Sequence, residues 1–292
     1  MAQDLNIQWF PGHMARTRRQ IQASLKLVDA VVEVIDARIP LSSRNPELPS
    51  LTGHKPRIVL LNKCDAADKS VTNRWIDYYK SQGVPALAVD CRSGVGLNAF
   101  VPAVKNLLAD KIEKAKLKGM VNRTLRLMVV GIPNAGKSSF INRMAKTVKA
   151  KVEDRPGVTR GNQWFSISGG IELLDTPGVL WPKFENQKVA ERLAFTGAIK
   201  DNILDIESLA MRFIETVDDD YRNMIVERYK LPDIADMPSY EVLQLIARRR
   251  GMLISGGEVD TERAAITLLD EFRAAKLGRI SLESPERNDI DE

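Results

Sequence analysis

The run GIPNAGKSS, which begins at Gly131, constrains the fold of this chain more than any other feature. It follows an apolar stretch of strand type, LRLMVV, and precedes a helical stretch, as a phosphate-binding loop must. Glycines let the backbone wrap closely around phosphates, and amides at a helix N-terminus point toward them. We therefore expect Lys137 to meet the β- and γ-phosphates of a nucleotide and Ser138 to bind Mg²⁺. The other predicted nucleotide-binding residues of this loop are Asn134, Ala135, Gly136 and Ser139.

A second motif, DTPG from Asp175 to Gly178, follows another short apolar run. Because it comes after the phosphate loop and a strand, Asp175 is predicted to lie on the metal side of the nucleotide, and the amide of Gly178 is predicted to sense the γ-phosphate. Between the two motifs lies RPGVTRG, in which Thr159 is the candidate switch threonine that completes the coordination of Mg²⁺ when GTP is bound. The alternative is that residues 155–161 are a plain mobile loop.

A third motif points to guanine. The tetrad NKCD ends an apolar run, and its Asp65 can accept hydrogen bonds from guanine N1–H and the 2-amino group, which adenine does not offer in that arrangement. The amide of Asn62 would support the loop and reach N7, and the stem of Lys63 would lie along the base. The segment DCRSG follows the next strand and takes the place of the loop that contacts guanine O6. The predicted base-site residues are Asn62, Lys63, Cys64, Asp65, Asp90 and Cys91.

The order of these motifs is unusual, because in an ordinary GTPase the guanine tetrad follows the phosphate loop and here it precedes it. A sheet tolerates a different starting point if the strands still end on the same ligand-facing edge. The order therefore predicts a circularly permuted P-loop GTPase domain over residues 1–182, of α/β class, with a mostly parallel sheet and helices on both faces. A smaller all-α domain is predicted over residues 183–284, and an acidic, disordered tail over 285–292.

Periodicity supports this division of the chain. Strands are predicted at 31–36, 57–62, 84–90 and 125–131, and a hairpin is predicted around Gly169 and Gly170. Helices are predicted from 70 to 82, from 97 to about 118 and from Lys137 onward. Beyond residue 182 the pattern is helical, and one helix, expected to begin at Asp260 or Thr261 and to close at Gly278, carries an apolar face. Its apolar residues are Ala265, Leu268, Leu269 and Phe272.

Composition excludes several classes of protein. The chain has 292 residues with 44% apolar and 28% charged content, and no apolar run approaches the about 20 residues that span a bilayer. The start has neither a charged n-region nor an apolar h-region, so we expect no export signal, and two cysteines cannot supply a four-thiolate zinc site. These features predict a soluble, monomeric protein of the reducing cytoplasm without a membrane partner.

The charge distribution indicates an anionic partner. The net charge is only +5, but basic residues recur in clusters, which favours RNA. Solvated helix faces are the alternative for any single cluster. The clusters comprise Arg16, Arg18 and Arg19; Lys111, Lys114, Lys116, Lys118, Arg123 and Arg126; Lys146, Lys149 and Lys151; Arg248 to Arg250; and Arg273, Lys276 and Arg279.

The permuted order, the N-terminal WFPGHMARTRR, the segment DARIPLSSRNPEL at 36–48 and the helical C-terminal part together resemble the ribosome biogenesis GTPase A family. The resemblance implies an enzyme that hydrolyses GTP to GDP and phosphate, with stimulation by the ribosomal particle. It also implies binding to the precursor of the large ribosomal subunit through its rRNA, and promotion of late maturation. Permuted GTPases of the small subunit carry an added barrel or zinc-binding cysteines, which this chain lacks.

The catalytic group is not given by the three motifs. Val179 stands where classical switch GTPases have a water-orienting glutamine, and an apolar side chain cannot orient water. The resemblance implies that His13 positions or activates the attacking water, and an ordinary loop histidine is the alternative. Asn134 resembles the residue that helps to hold K⁺ in potassium-activated GTPases. Two other functions stay open: a GTP-regulated RNA-binding chaperone with incidental hydrolysis, and a GTPase partner of an RNA-modification enzyme.

Overall fold

The computed structural model describes residues 14–120, 123–146, 163–176, 186–199, 201 and 204–286. These residues form two compact units. One unit contains residues 14–64 and 69–176, and the other contains residues 65–68 together with 186–286. None of the described helices is long and apolar enough to cross a membrane.

The first unit is built on a six-stranded sheet. Its strands are β1 (Ala30–Asp36), β2 (Arg57–Asn62), β3 (Ala86–Ala88), β4 (Leu125–Val130), β5 (Gln163–Ile167) and β6 (Ile171–Asp175). Their order is β3-β2-β1-β4-β6-β5, and every neighbouring pair is parallel except the β5–β6 hairpin. All of β1 is buried, as expected for a central parallel strand covered on both faces. The predicted mostly parallel α/β sheet is confirmed.

The helices of the first unit connect these strands. They are α1 (Met14–Leu25), α2 (Leu48–Thr52), α3 (Lys69–Ser81), a 3₁₀ turn (Leu97–Ala99), α4 (Phe100–Leu107), α5 (Ala109–Leu117) and α6 (Lys137–Lys146). Neither α1 nor α2 was among the predicted elements. The segment predicted as helical from 97 to about 118 is helical but divided, because the backbone leaves helical angles at Leu108, whose φ is −108° and ψ is 18°. The side chain of Leu108 is buried at this break.

The second unit contains five helices within its described residues: α7 (Gln187–Phe195), α8 (Ile206–Thr216), α9 (Asp219–Tyr229), α10 (Ser239–Arg249) and α11 (Thr261–Arg273). Phe213 lies between Phe195 and Phe272, with ring centroids 5.5 Å and 4.7 Å away. The predicted apolar face of α11 is buried. Residues 65–68 belong to this unit, and a backbone hydrogen bond attaches them to it: Ile280 N donates to Ala66 O at 3.1 Å.

The ends of two predicted elements differ from the structure. Helix α11 begins as expected, with the Asp260 carboxylate accepting the amide of Arg263 at 2.9 Å. It ends at Arg273 rather than near Gly278, because Ala275 takes a left-handed conformation with φ of 56° and stops the helix. Strand β3 is shorter than the predicted 84–90, because the Asp90 amide turns away to the carbonyl of Val95.

Parallel strands bring four loops to one edge of the sheet. The carboxyl ends of β1, β2, β4 and β6 all lie on this edge, since these strands run in the same direction. Asp36 at the end of β1 is in register with Asn62 at the end of β2, and Asp175 at the end of β6 is in register with Val129 of β4. Ligands of open α/β sheets bind at such an edge.

Candidate nucleotide-binding site

The phosphate loop joins β4 to α6, and its backbone requires glycine at two positions. Gly131 and Gly136 have φ of 152° and 103°, in the range that L side chains rarely adopt. A Cβ at Gly131 would collide with the carbonyl of Val34, and one at Gly136 would collide with the amide of Asn62. Helix α6 follows at once, with Phe140 N donating to Gly136 O at 2.9 Å. The loop therefore leaves an open cradle above a helix N-terminus, which suits a phosphate group.

Lys137 is the buried cation of this loop. Its side chain belongs to a residue only 8% exposed, and Nζ donates to the carbonyl of Ile132 at 2.8 Å. Burial lowers the pKa of Lys137 to about 8, while the carboxylate of Asp175 acts in the opposite direction. Burial likewise raises the pKa of Asp175, against the opposing influence of Lys137. A bound phosphate would place negative charge beside the buried ammonium group of Lys137 and so favour its protonated form.

The metal side of the loop offers oxygen ligands. Ser138 is exposed at the first turn of α6, and Asp175 is half-buried at the end of β6. The end of β6 is fixed to β4 by Thr176 Oγ1, which donates to Val129 O at 2.5 Å. Mg²⁺ is usually held by one or two protein oxygens together with substrate phosphates and waters, so Ser138 and Asp175 fit Mg²⁺ bound with a nucleotide. Proteins of the GTPase class use Mg²⁺ with GTP.

Asn62 joins the phosphate loop to the base loops. Its Nδ2 donates to Ala135 O at 2.7 Å, and its Oδ1 accepts the amide of Cys91 at 3.0 Å. The residue is 3% exposed, so these two hydrogen bonds are shielded from water. Through one side chain the structure thus brings together two loops that lie far apart in the sequence. Asn62, the first residue of the tetrad, is thus in direct contact with the phosphate loop.

The predicted second base loop is shaped by Asp90. Its carboxylate oxygens accept the amides of Arg92 at 2.8 Å and Ser93 at 3.2 Å, so the side chain is turned into its own loop. Burial alone would raise the pKa of Asp90, but these hydrogen bonds outweigh it and the pKa is lowered. Burial raises the pKa of Cys91 to about 12, which keeps its thiol neutral. Asp90 therefore gives the loop its shape, and the amide of Cys91 attaches the loop to Asn62.

The remaining tetrad residues lie where β2 ends. Lys63 has a left-handed backbone with φ of 60°, and its Nζ lies 3.0 Å from Oδ2 of Asp36. Cys64 is half-buried, and its amide donates to Val89 O at 3.2 Å. Asp65 is exposed, as a residue that meets a ligand from solvent must be. Asp36 had no predicted role in the site, and the only sequence signal for it is a carboxylate at the end of an apolar strand.

Three predicted residues fall outside the described part of the chain: His13, Thr159 and Gly178. The exposed Asn134 lies within it, in the phosphate loop, with a left-handed φ of 59°. The described geometry therefore covers the phosphate cradle, the Asp175 side and both base loops.

Comparison with known proteins bears on the class of this site. A family model described as 50S ribosome-binding GTPase matches residues 126–238, a range that starts in β4 and contains the phosphate loop. Ribosome biogenesis GTPase A of Priestia megaterium is 48% identical over 282 residues, covering 96% of this chain and 98% of the relative. The protein of the same name from Thermotoga maritima is 32% identical over 280 residues, covering 96% and 95%.

Solved structures agree with these relatives. A GDP-bound structure of TM YlqF is similar with a TM-score of 0.66 and 29% identity, covering 92% of this chain and 100% of that one. A GNP-bound structure of YlqF from T. maritima has a TM-score of 0.64 at 29% identity, covering 93% and 99%.

The sheet, the phosphate cradle and the guanine-type tetrad, joined through Asn62, define a P-loop GTPase whose base loops precede its phosphate loop. Such an enzyme hydrolyses GTP to GDP and phosphate. With relatives this similar along nearly its whole length, the chain belongs to the ribosome biogenesis GTPase A family and has a GTPase role in ribosome assembly. The family resemblance noted in the sequence is confirmed.

Proposed function

We propose that this GTPase binds the precursor of the large ribosomal subunit through its rRNA and promotes late maturation of that particle. One observation carries the proposal: the chain is 48% identical, over 96% of its length, to a relative named for ribosome biogenesis. The family model that matches it is described as 50S ribosome-binding, which favours the large subunit. The protein would act as a monomer in the cytoplasm, without a membrane partner.

In this proposal residues 183–284 form the domain that contacts rRNA, and residues 1–182 form the GTPase domain. Support comes from exposed arginines at the end of α10, where Arg248 and Arg249 face solvent. Their neighbour Arg250 lies 3.1 Å from the carboxylate of Glu271, so part of its charge is already matched. Exposed basic side chains next to each other suit contacts with phosphate groups along a nucleic-acid backbone.

The proposed chemistry of the phosphate side uses the cradle described above. Lys137 would contact the β- and γ-phosphates, and the hydroxyl of Ser138 with Asp175 and Thr159 would hold Mg²⁺. The metal, when bound, neutralises charge that develops on the phosphates. The amide of Gly178 would sense the γ-phosphate. Loss of the γ-phosphate on hydrolysis would then release the segment around Gly178.

The proposed base and water sites use the remaining residues. Asp65 would accept from guanine, with Asn62 as the support of its loop. His13 would position the attacking water, because Val179 cannot, and the ribosomal particle would stimulate this step. Asn134, which is exposed in the phosphate loop, is the proposed neighbour of a K⁺ ion.

Sedimentation with large-subunit precursors tests the proposal. Full-length protein should co-sediment more strongly with a nonhydrolysable GTP analogue than with GDP, and binding should weaken as salt rises because counterions are released on binding. Particles should also accelerate hydrolysis. Equal binding in both nucleotide states would refute the nucleotide switch, and particles that leave hydrolysis unchanged would favour an RNA chaperone instead.

A matched pair of charge reversals tests the rRNA surface. Replacing Arg248 and Arg249 with Glu should weaken particle binding and reduce the slope of its salt dependence by about 2, since each lost phosphate contact removes about one unit. Replacing the exposed Lys69 and Lys80 of α3 with Glu changes the net charge equally. If both double variants lose binding to the same extent, only overall charge matters and the surface is assigned wrongly.

A further inference from the structure

Asp36 is a buried carboxylate held between two cations. The residue ends β1 and is 2% exposed. Its Oδ1 accepts Nε of Arg38 at 2.9 Å, and its Oδ2 accepts Nη2 of the same guanidinium at 2.7 Å. The second cation is Lys63, whose Nζ lies 3.0 Å from Oδ2. Arg38 is as buried as Asp36, whereas the side chain of Lys63 is 29% exposed and belongs to the tetrad.

The backbone around Asp36 fixes the carboxylate in place. Its amide donates to Ser43 Oγ at 2.9 Å, and Ser43 N donates to Ile39 O at 2.9 Å. The amide of Ala37 donates to Asn62 O at 2.8 Å, which attaches this turn to the end of β2. The carboxylate therefore cannot shift without breaking a set of buried hydrogen bonds.

Charge balance shows that Lys63 is not needed to neutralise Asp36. A bidentate guanidinium is already a full partner for one carboxylate. Burial would raise the pKa of Asp36, but Arg38 and Lys63 outweigh burial and lower it, so the group stays ionised. With Arg38 satisfying the internal charge, the remaining lone pairs of Oδ2 are available to a cation at the surface.

Lys63 is held at both ends. Its backbone takes a left-handed conformation that a residue with a Cβ rarely adopts unless its surroundings impose it. At the far end of the side chain its ammonium rests on Asp36. A lysine stem has four rotatable bonds and is otherwise mobile in water, so ordering it before a ligand arrives reduces the entropy that binding would lose.

We propose that Asp36 is a positioning residue for guanine recognition: its carboxylate anchors the ammonium of Lys63, so that the lysine stem is ordered along the base site before the nucleotide binds, with Arg38 holding the carboxylate. This inference rests on the proposed function, in which residues 62–65 form the guanine site. It also gives a physical role to the start of the segment DARIPLSSRNPEL.

Titration calorimetry of the full chain with GDP tests this role. Asp36→Asn and Lys63→Met should each weaken GDP binding by about three- to tenfold, the loss expected when one long side chain must be ordered on binding. The double variant should bind GDP no more weakly than Lys63→Met alone, because the anchor then has nothing to hold. Lys63→Arg, which keeps a cation beside Asp36, should retain more affinity than Lys63→Met.

Glu33→Gln is the matched control. Glu33 lies on the same strand, is 1% exposed in its side chain, and pairs with Arg44 and Arg57 at 3.2 Å each. Its replacement should lower thermal stability and leave GDP affinity unchanged. Equal losses of affinity in Glu33→Gln and Asp36→Asn would show general destabilisation and overturn the proposal.

If the losses of GDP affinity in Asp36→Asn and Lys63→Met add up in the double variant, the proposal is also overturned. If Asp36→Asn does not fold, Lys63→Met still tests the same pair from its exposed end, and unchanged GDP affinity in that variant refutes the anchor. Asp65→Asn distinguishes failure of the proposed guanine site from failure of the proposed role of Asp36. If Asp65→Asn keeps full GDP affinity, the guanine site itself is wrong; if it loses affinity while Lys63→Met does not, only the role of Asp36 fails.

Discussion

Replacing Asn62 with alanine should separate the two halves of the nucleotide site. In the native chain its side-chain amide contacts both the phosphate loop, at Ala135 O, and the second base loop, at Cys91 N. Alanine keeps the backbone of β2 and removes both contacts. Because both partners are nearly inaccessible to water, solvent cannot replace the lost hydrogen bonds without local opening.

The expected magnitude follows from these two partners. An unpaired buried donor or acceptor costs about 1–3 kcal/mol, so Asn62→Ala should lower the free energy of unfolding of the α/β unit by about 2–6 kcal/mol in total. If about 1 kcal/mol of loop order must then be restored on binding, GDP affinity should fall at least about fivefold.

Urea unfolding followed by tryptophan fluorescence measures the first quantity. The chain has four tryptophans, at positions 9, 75, 164 and 181, and the two described ones, Trp75 and Trp164, are buried in the α/β unit. With Trp9 and Trp181 replaced by Phe, the fluorescence of Trp75 and Trp164 reports the α/β unit, which matters because a chain of two units need not unfold in one step. GDP titration calorimetry at a temperature where the variant is folded measures the second.

Asn45→Ala provides the control. Asn45 is also a buried asparagine of the α/β unit, and its Oδ1 accepts the amide of Glu47 at 2.9 Å, a hydrogen bond that involves neither the phosphate loop nor the second base loop. Its truncation should cost stability by about 1–3 kcal/mol and leave GDP affinity unchanged. An Asn62→Ala variant that loses less than about 1 kcal/mol and binds GDP normally would refute the bridging role.

Three further predictions concern recognition, catalysis and acid stability. Asp65→Asn places an amide NH₂ opposite the guanine amino group, a mismatch of about 1–3 kcal/mol, so calorimetry should show at least about tenfold weaker GTP binding together with new affinity for XTP; retained GTP affinity would contradict base recognition by the tetrad. His13→Ala should reduce particle-stimulated hydrolysis at least about tenfold with little change in GTP affinity, and an unchanged rate would make it an ordinary loop histidine. Burial acts to raise the pKa of Asp29, but hydrogen bonds from the Arg126 amide and from Lys111 outweigh it and lower the pKa below 3.8. A lowered carboxylate pKa gives stability that is present above 3.8 and is lost as the pH falls through the folded-state pKa, so Asp29→Asn should destabilise at pH 7 and match the native chain in strong acid when urea midpoints are compared across pH.

Much of the fold could be predicted because its elements depend on local pattern. Strand β2 has the predicted bounds, since a continuous apolar run between polar residues leaves a parallel strand few alternatives. The two loop glycines were predicted because the backbone must approach the phosphates closely, and the structure adds a second reason: a Cβ at either position would collide with Val34 O or with the Asn62 amide. Chain order alone indicated permutation, and the sheet order confirms that strands from both sides of the phosphate loop share one edge.

What could not be predicted depends on tertiary contacts. No glycine or proline marks Leu108, so periodicity could not show that the helix breaks there. Ala275 ends α11 in a conformation that favours glycine, which hid the helix end from a search for glycine. The pairing of Asp36 with Lys63 requires the register between β1 and β2, and the apolar pattern of two buried strands does not determine register.

The backbone contacts of residues 65–68 have a consequence for synthesis of the chain. Ala66 O accepts the amide of Ile280, and the amide of Asp68 donates to Ser281 Oγ at 3.1 Å across a separation of 213 residues. Contacts between residues so distant in sequence form slowly, and these two cannot form until the polypeptide is nearly complete. The segment that directly follows the tetrad therefore reaches its final structure late in translation. We expect nascent chains that end before Ile280 to lack both of these contacts, so that residues 66–68, directly after Asp65, have not yet reached their final structure.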